Sequence, residues 1–215
     1  GLSFLGQCNT AAFERNVSQL IALGRYSQDS LRTLVMRTGI EYHRLERGIL
    51  HFFSSERDFD AGAAAALVMR RHGVDRQVLS RDEVLAVEPA LAAFGPRLAG
   101  GTFTPSDESG DARAFTQQLA RRCADRGAVF LFGHDICGLQ KSGNAIESIR
   151  VREQASAQEK LLRADAYVAA MGSHTAPLLR PLGLCLNIYP AKGYSATLKL
   201  KQPERASVVS LIDDD

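Results

Sequence analysis

The sequence predicts a mixed α/β fold, with an antiparallel-sheet domain first and pieces of a parallel sheet later. Three observations carry this expectation. Helical and strand patterns mix through the first hundred residues without the strict βαβ alternation of an all-parallel sheet. Residues 129–163 then run as short apolar or alternating stretches between turn signals. Finally, residues 166–170 (Ala-Tyr-Val-Ala-Ala) form an uninterrupted small-apolar run of the kind buried on both faces of a parallel sheet. That run leads through Gly172 into a helix start, a geometry that lets backbone come close to a phosphate.

Residues 10–37 place Phe13, Val17, Leu20, Ile21, Leu31, Leu34 and Val35 near helical spacing, and Thr38-Gly39 offers a left-handed cap. Two short strands are expected at 41–45 and 48–53, with a turn at Glu46-Arg47-Gly48. Ser54-Ser55-Glu56 opens an Ala-rich helix that stops at His72-Gly73. A strand at 77–79 is followed by Ser80-Arg81-Asp82-Glu83, a capping box whose helix ends at Glu88-Pro89. Residues 97–104 read as a strand containing a Gly-Gly pair, and 105–111 as a loop. Asp111 caps a helix over 112–126, closed by Gly127. Strands are expected at 129–132, 136–141, 145–152, 160–163 and 166–170, and a last long strand or pair at 186–200, broken by Pro190 and Gly193.

Composition narrows the function classes. The chain has 215 residues, a formal net charge of +2 and 45% hydrophobic residues, enough for a sizeable core and no indication of nucleic-acid binding. No apolar run approaches the roughly 20 residues needed to cross a bilayer. The start lacks a basic segment and a long apolar stretch, so no signal peptide is expected, and the missing initiator Met fits a processed or excised piece. Cys8, Cys123, Cys137 and Cys185 lie far apart with no C-x-x-C, which points to a reducing compartment and structural thiols. The five histidines are equally scattered, so no metal site is expected. No G-x-G-x-x-G occurs.

Several ordered motifs occur together. They are Arg15-Asn16, Tyr26-Ser27, Thr38-Gly39-Ile40-Glu41-Tyr42, Glu88-Pro89-Ala90-Leu91, Asp107-Glu108-Ser109-Gly110-Asp111, Ala170-Met171-Gly172-Ser173 and Pro190-Ala191-Lys192-Gly193-Tyr194-Ser195. Over essentially the whole chain this series resembles the D-amino acid oxidase-like family of FAD-dependent oxidoreductases, and within it the D-amino acid dehydrogenase small-subunit branch. The resemblance implies a substrate-binding domain with an antiparallel sheet plus part of an FAD/NAD(P)-binding Rossmann-like domain. Residues 1–105 would be the first part of the substrate-binding domain, 106–183 a partial FAD-binding domain, and 184–215 a return to the substrate-binding domain.

The resemblance also implies FAD as cofactor and a D-amino acid as substrate, with a respiratory electron acceptor other than oxygen. Asp135 and Ile136, in Gly133-His134-Asp135-Ile136, would lie against the adenine. Ala170, Met171, Gly172 and Ser173 would close on the pyrophosphate. His51, Lys192 and Tyr194 would face the substrate or flavin. Each has a plainer reading beside it: a strand-to-helix turn for Gly172-Ser173, surface and core places for Lys192 and Tyr194, and a satisfied or exposed histidine for His51. Asp107, Glu108 and Asp111 are read as capping and turn residues, not as a metal site or carboxylate dyad. The dinucleotide fingerprint and its ribose-gripping acid are expected before Gly1, and the substrate-clamping arginine beyond Asp215. The piece alone is therefore expected to hold FAD weakly and not to turn over. Localisation is expected to be cytoplasmic, with a peripheral place at the inner membrane left open. A glycine or sarcosine oxidase-like enzyme of the same fold and a non-catalytic ligand-binding module are the alternatives.

Overall fold

A computed structural model describes residues 6, 9–202 and 205–214. Two compact units divide the chain: Gly1–Gly127 with Lys199–Asp215, and Ala128–Leu198 between them in sequence. Mixed α/β is the observed class, but the parallel pairing falls in the first unit and the second is antiparallel, the reverse of what the sequence suggests.

The first unit begins with α1 (Thr10–Thr38), whose Asn9 side chain accepts from the Ala12 N–H at 2.9 Å. Gly39 ends the helix at φ 61°, donating its N–H to Val35 O, so the left-handed cap forms where the sequence places it. The sheet has the order β2–β3–β1–β7. Its strands are β1 (Ile49–Phe53), β2 (Gln77–Ser80), β3 (Gly100–Thr104) and β7 (Ser210–Asp213). β1 and β2 each run antiparallel to β3, while β7 lies parallel to β1 with His51 opposite Ile212.

Helices cover both faces. Ser55 caps α2 (Glu56–Arg71), and the capping box at Ser80 and Glu83 starts α3 (Arg81–Val87). Leu50, Phe52, Leu79, Val84, Leu91, Leu98 and Val209 form the core on the α3 side. Phe53 turns the other way, onto Phe59 of α2. The Gly100-Gly101 pair makes this double packing possible. A Cβ on Gly100 would stand 2.5 Å from the Phe59 ring, and one on Gly101 would stand 2.7 Å from both Val84 Cγ2 and His51 O. Glu88, fully buried, ties the C-terminal strand to this core: Oε2 accepts from Val208 N at 2.5 Å and Val209 N at 3.0 Å, and Oε1 from Ala90 N at 3.0 Å. Asp111 then caps α4 (Ala112–Ala124), as expected, accepting from Ala114 N.

The second unit is an antiparallel meander of β4 (His134–Ser142), β5 (Ala145–Glu153) and β6 (Glu159–Leu162), then the short helix α5 (Thr175–Leu179). Gly143-Asn144 makes a two-residue hairpin turn.

Four expected strands do not form. Residues 41–45 give only a Leu45–Ser109 bridge. Residues 129–132, 166–170 and 186–200 are irregular, with Val168 90% exposed. Each has strand-like side chains, but a strand exists only with a ladder partner, and no strand among the described residues pairs with them. Tyr167 instead holds its segment by its side chain, donating to Glu147 O at 2.8 Å and accepting from Ala164 N at 2.9 Å.

Candidate functional site

Two places in the chain have the makings of a site, one in each unit. In the first, His51 sits on the central strand β1 with its Nδ1 2.6 Å from Asp214 Oδ2. Opposite it on β3 is Thr102, fully buried, whose Oγ1 accepts from Arg76 Nε at 3.0 Å. Burial lowers the Arg76 guanidinium from its ordinary value, against the pull of Asp107 and Asp214, which favour its charge. Burial likewise raises the Asp107 carboxyl, with Asp75 adding to it, while Arg76, His51 and Thr104 draw it back down. The group is therefore a half-buried string of polar side chains: Asp107, Arg76, Asp214 and His51. Such a string fixes the orientation of the imidazole.

Of these residues only His51 is legible as a site residue in the sequence. Arg76 and Thr102 carry no motif, and Asp214 lies 163 positions from its partner. The acidic loop also does more than cap and turn. Asp111 caps a helix, but Glu108 pairs with Arg44 through Nε at 2.9 Å and through Nη2, with Arg32 Nε at 3.9 Å. Asp107 is part of the polar string. Asp107 also keeps its turn role, its N–H donating to Thr104 O at 3.2 Å, whereas the Glu108 carboxylate is taken by side chains distant in sequence.

In the second unit, Met171 leads into a 3-10 turn at Gly172–His174 and then α5. Gly172 adopts φ 54°, and nothing lies within 4 Å of where its Cβ would stand, so one side of the turn is open backbone. The Met171 N–H is already used by Thr175 Oγ1 at 3.1 Å. Ser173 is half-buried and Ala170 exposed. A cleft of about 670 Å³ opens beside Ser173, walled by His174, Arg180, Cys185 and Tyr189.

Elsewhere in this unit Asp135 and Ile136 lie on β4. The Asp135 carboxylate accepts from Gln154 Nε2 at 2.9 Å and from Arg152 Nη2 at 3.4 Å, and these bonds hold it below the usual carboxylate range. Ile136 is 40% exposed. Beside them His134 Nδ1 donates to Phe132 O at 3.0 Å, which leaves Nε2 as an acceptor, buried and without a partner. Lys192 and Tyr194 are both exposed, the ammonium 5.6 Å from the ring centroid. The structure brings Lys192 and Tyr194 together, and Asp135 beside Ile136, but records no contact between these pairs or from either to Gly172. His51 belongs to the other unit.

The residues present fit a nucleotide cofactor on two counts. An open glycine backbone at a turn suits close approach of a pyrophosphate, and the orphan His134 acceptor suits a ring amino group. Among the described residues no group of three or more His, Cys, Asp or Glu could hold a metal ion, and no helix is long and apolar enough to cross a membrane.

Comparison with known proteins follows the same direction. A family model described as FAD dependent oxidoreductase (DAO) matches residues 5–215. The chain is 43% identical over 215 residues to a D-amino acid dehydrogenase of Dechloromonas aromatica (strain RCB), covering 100% of this chain and 51% of that protein. It is 41% identical over 210 residues to a D-amino acid dehydrogenase of Methylobacterium radiotolerans, covering 98% and 49%. Among solved structures, glycine oxidase from Geobacillus kaustophilus superposes with a TM-score of 0.65 at 26% identity, covering 80% of this chain and 44% of that one. L-proline dehydrogenase from P. horikoshii gives a TM-score of 0.62 at 14% identity, covering 74% and 40%, a likeness of fold. The chain spans about half the length of the curated relatives it matches.

Proposed function

Because the chain belongs to the DAO family of FAD-dependent oxidoreductases, we propose that it forms part of an enzyme that oxidatively deaminates D-amino acids. The products are a 2-oxo acid and ammonia, after hydrolysis of the imino acid, and the electrons pass to a respiratory acceptor other than oxygen. One observation carries the reading: identity to proteins named D-amino acid dehydrogenase runs along the whole chain and exceeds 40%. The match to the glycine oxidase is weaker and less complete.

When bound, FAD supplies the electron sink for the α-carbon hydride. The chain's own residues bind and orient. Ala170, Met171, Gly172 and Ser173 would offer backbone to the pyrophosphate, and Asp135 and Ile136 would lie by the adenine with His134 beside them. The first unit would be the substrate-binding portion. There Asp214 fixes the His51 ring, so that Nε2 is the nitrogen left for a substrate group, while Lys192 and Tyr194 of the second unit would present a cation and a phenol. Oxidation of a neutral amine needs no dedicated base, so the protein's part is placement and charge. The enzyme would work in the cytoplasm, peripherally at the inner membrane where its acceptor resides.

The test is anaerobic flavin reduction in the complete gene product. D-Alanine should bleach the flavin, while sarcosine and L-alanine should not. Bleaching by sarcosine and not by D-alanine would turn the assignment to a glycine or sarcosine oxidase-like enzyme. A complete gene product that carries no flavin would make it a ligand-binding module.

A further inference from the structure

A second cavity, of about 450 Å³, lies wholly in the first unit, between α1, the turn after α2 and the loop after β3. Hydrogen bonds tie these three walls into a closed ring. Arg25 Nη2 donates to Gly73 O and joins α1 to the turn. Gln28 Nε2 donates to Ser106 O at 2.9 Å and joins α1 to the loop. Ser106 completes the ring, donating its N–H at 3.1 Å and its hydroxyl at 2.5 Å to the Asp75 carboxylate. Walls held in this way need little further ordering when a ligand arrives.

The charges on these walls are unmatched. Arg25, Asp75 and Asp107 all line the cavity, and among the described residues none of them makes a direct ion pair. Asp75 is satisfied all the same, because Ser106 donates to both its oxygens. Arg25 spends one N–H on Gly73 O and keeps its other donors, on an exposed side chain. Asp107 is partly exposed, and burial with Asp75 raises its carboxyl more than Arg76 and His51 lower it. A cation beside Asp107 would relieve that imbalance. The cation and the free carboxylate belong to one short stretch of rim. Arg25 is bonded to Gly73, which lies two residues and at most about 7 Å along the chain from Asp75. Asp75 in turn is bonded to Ser106, the neighbour of Asp107.

We propose that this cavity binds a free α-amino acid with a short apolar side chain, its carboxylate on Arg25 and its ammonium on Asp107. Ile21 and Val74, also on the walls, supply carbon for the side chain. A ligand with a single charge leaves either Arg25 or Asp107 unmatched, whereas a zwitterion matches both. The volume falls within the range of about 300–1,000 Å³ usual for small-molecule sites. The site uses no residue assigned above to cofactor or substrate, so it stands or falls independently of the proposed activity.

The test uses the complete gene product with L-valine as probe and calorimetry as readout, since the proposed activity leaves the L-enantiomer unoxidised and calorimetry needs no turnover. Isobutylamine, which lacks the carboxylate, and 3-methylbutanoate, which lacks the amine, are the controls. L-Valine should bind at least about tenfold more tightly than either, the worth of one charge-assisted hydrogen bond. Arg25→Met and Asp107→Asn should each weaken L-valine by about the same factor, and Arg25→Lys should recover part of the loss. Gly24 lines the cavity with open space where its Cβ would stand, so Gly24→Leu should fill it and abolish binding while circular dichroism stays unchanged. A parent protein that does not bind L-valine, or binds all three probes equally, overturns the proposal. So does L-valine affinity untouched by both Arg25→Met and Gly24→Leu, which would place the amino acid elsewhere.

Discussion

Glu88 joins the two ends of the first unit, and removing its acceptor atoms should show how much that joint contributes. Three backbone N–H groups converge on the buried carboxylate, two from Val208 and Val209 and one from Ala90. Hydrogen bonds to a charged group contribute about 1.5–3 kcal/mol each, without simple additivity. In Glu88→Gln the single oxygen should turn to Val208 and Val209 and keep both bonds at roughly half strength. The new NH₂ then faces the Ala90 N–H, whose bond is part-buried on an exposed residue, so that this N–H can turn to water. A loss of about 2 kcal/mol follows. Glu88→Leu keeps the bulk but no acceptor. It orphans the buried Val209 N–H at about 1–3 kcal/mol and forfeits two part-buried bonds at about 1 kcal/mol each, so about 3–5 kcal/mol in all. Urea denaturation of the complete gene product measures both. Hydrogen exchange adds the locality: the Val208 and Val209 amides and β7 should lose protection before α2 does. If both variants stay within about 0.5 kcal/mol of the parent, with β7 protection unchanged, Glu88 does not anchor the strand.

Four further outcomes are expected. Gly101→Ala puts a methyl 2.7 Å from Val84 and from the His51 carbonyl, so it should cost about 1–3 kcal/mol in urea, whereas Gly24→Ala, with open space around it, should not destabilise. Ser80→Ala removes the capping box of α3 and should cost about 1 kcal/mol by the same measurement. The carboxyls of Glu83, Asp111 and Asp135 are held below their ordinary values by hydrogen bonds, chiefly from Ser80, Ala114 and Gln154. Their stabilisation is therefore present above the unfolded value of about 4 and lost as pH falls through the folded ones. Asp107 runs the other way because burial raises it, and carboxyl NMR should find it titrating above those three. Gly172→Ala forces a side chain into φ 54°, at about 1–2 kcal/mol. In the complete gene product it should also lower the flavin content of the purified protein, since the methyl stands where the pyrophosphate is proposed to approach.

What could be read ahead of the structure was local. Ser80 and Glu83, Asp111, Ser55 and Gly39 act within a turn of their own helix, and all five do what the sequence says. The capping of Asp111 was legible for that reason, whereas the Glu108–Arg44 pair spans 64 positions and was not. Residues 166–170 mark the opposite limit. Their apolar character is a property of the segment, but becoming a strand takes a backbone ladder with a neighbour, and among the described residues none is formed. The same holds for 129–132 and 186–200. His51 was legible as a histidine in an apolar strand, yet what fixes its ring comes from Asp214, beyond any pattern in the chain.

The parallel contact between β1 and β7 has a consequence for synthesis. A ribosome adds roughly 5–20 residues per second, so β1 leaves the exit tunnel about 10–30 seconds ahead of the segment that will lie along its free side. During that interval β1 presents unpaired N–H and C=O groups and an apolar face, the arrangement that invites pairing with other chains. The inserted second unit, Ala128–Leu198, supplies a little under half of the residues that separate β1 from β7, and the first unit supplies the rest. Nascent chains should consequently be most prone to aggregate, and most in need of a chaperone, between completion of β3 and arrival of Val209.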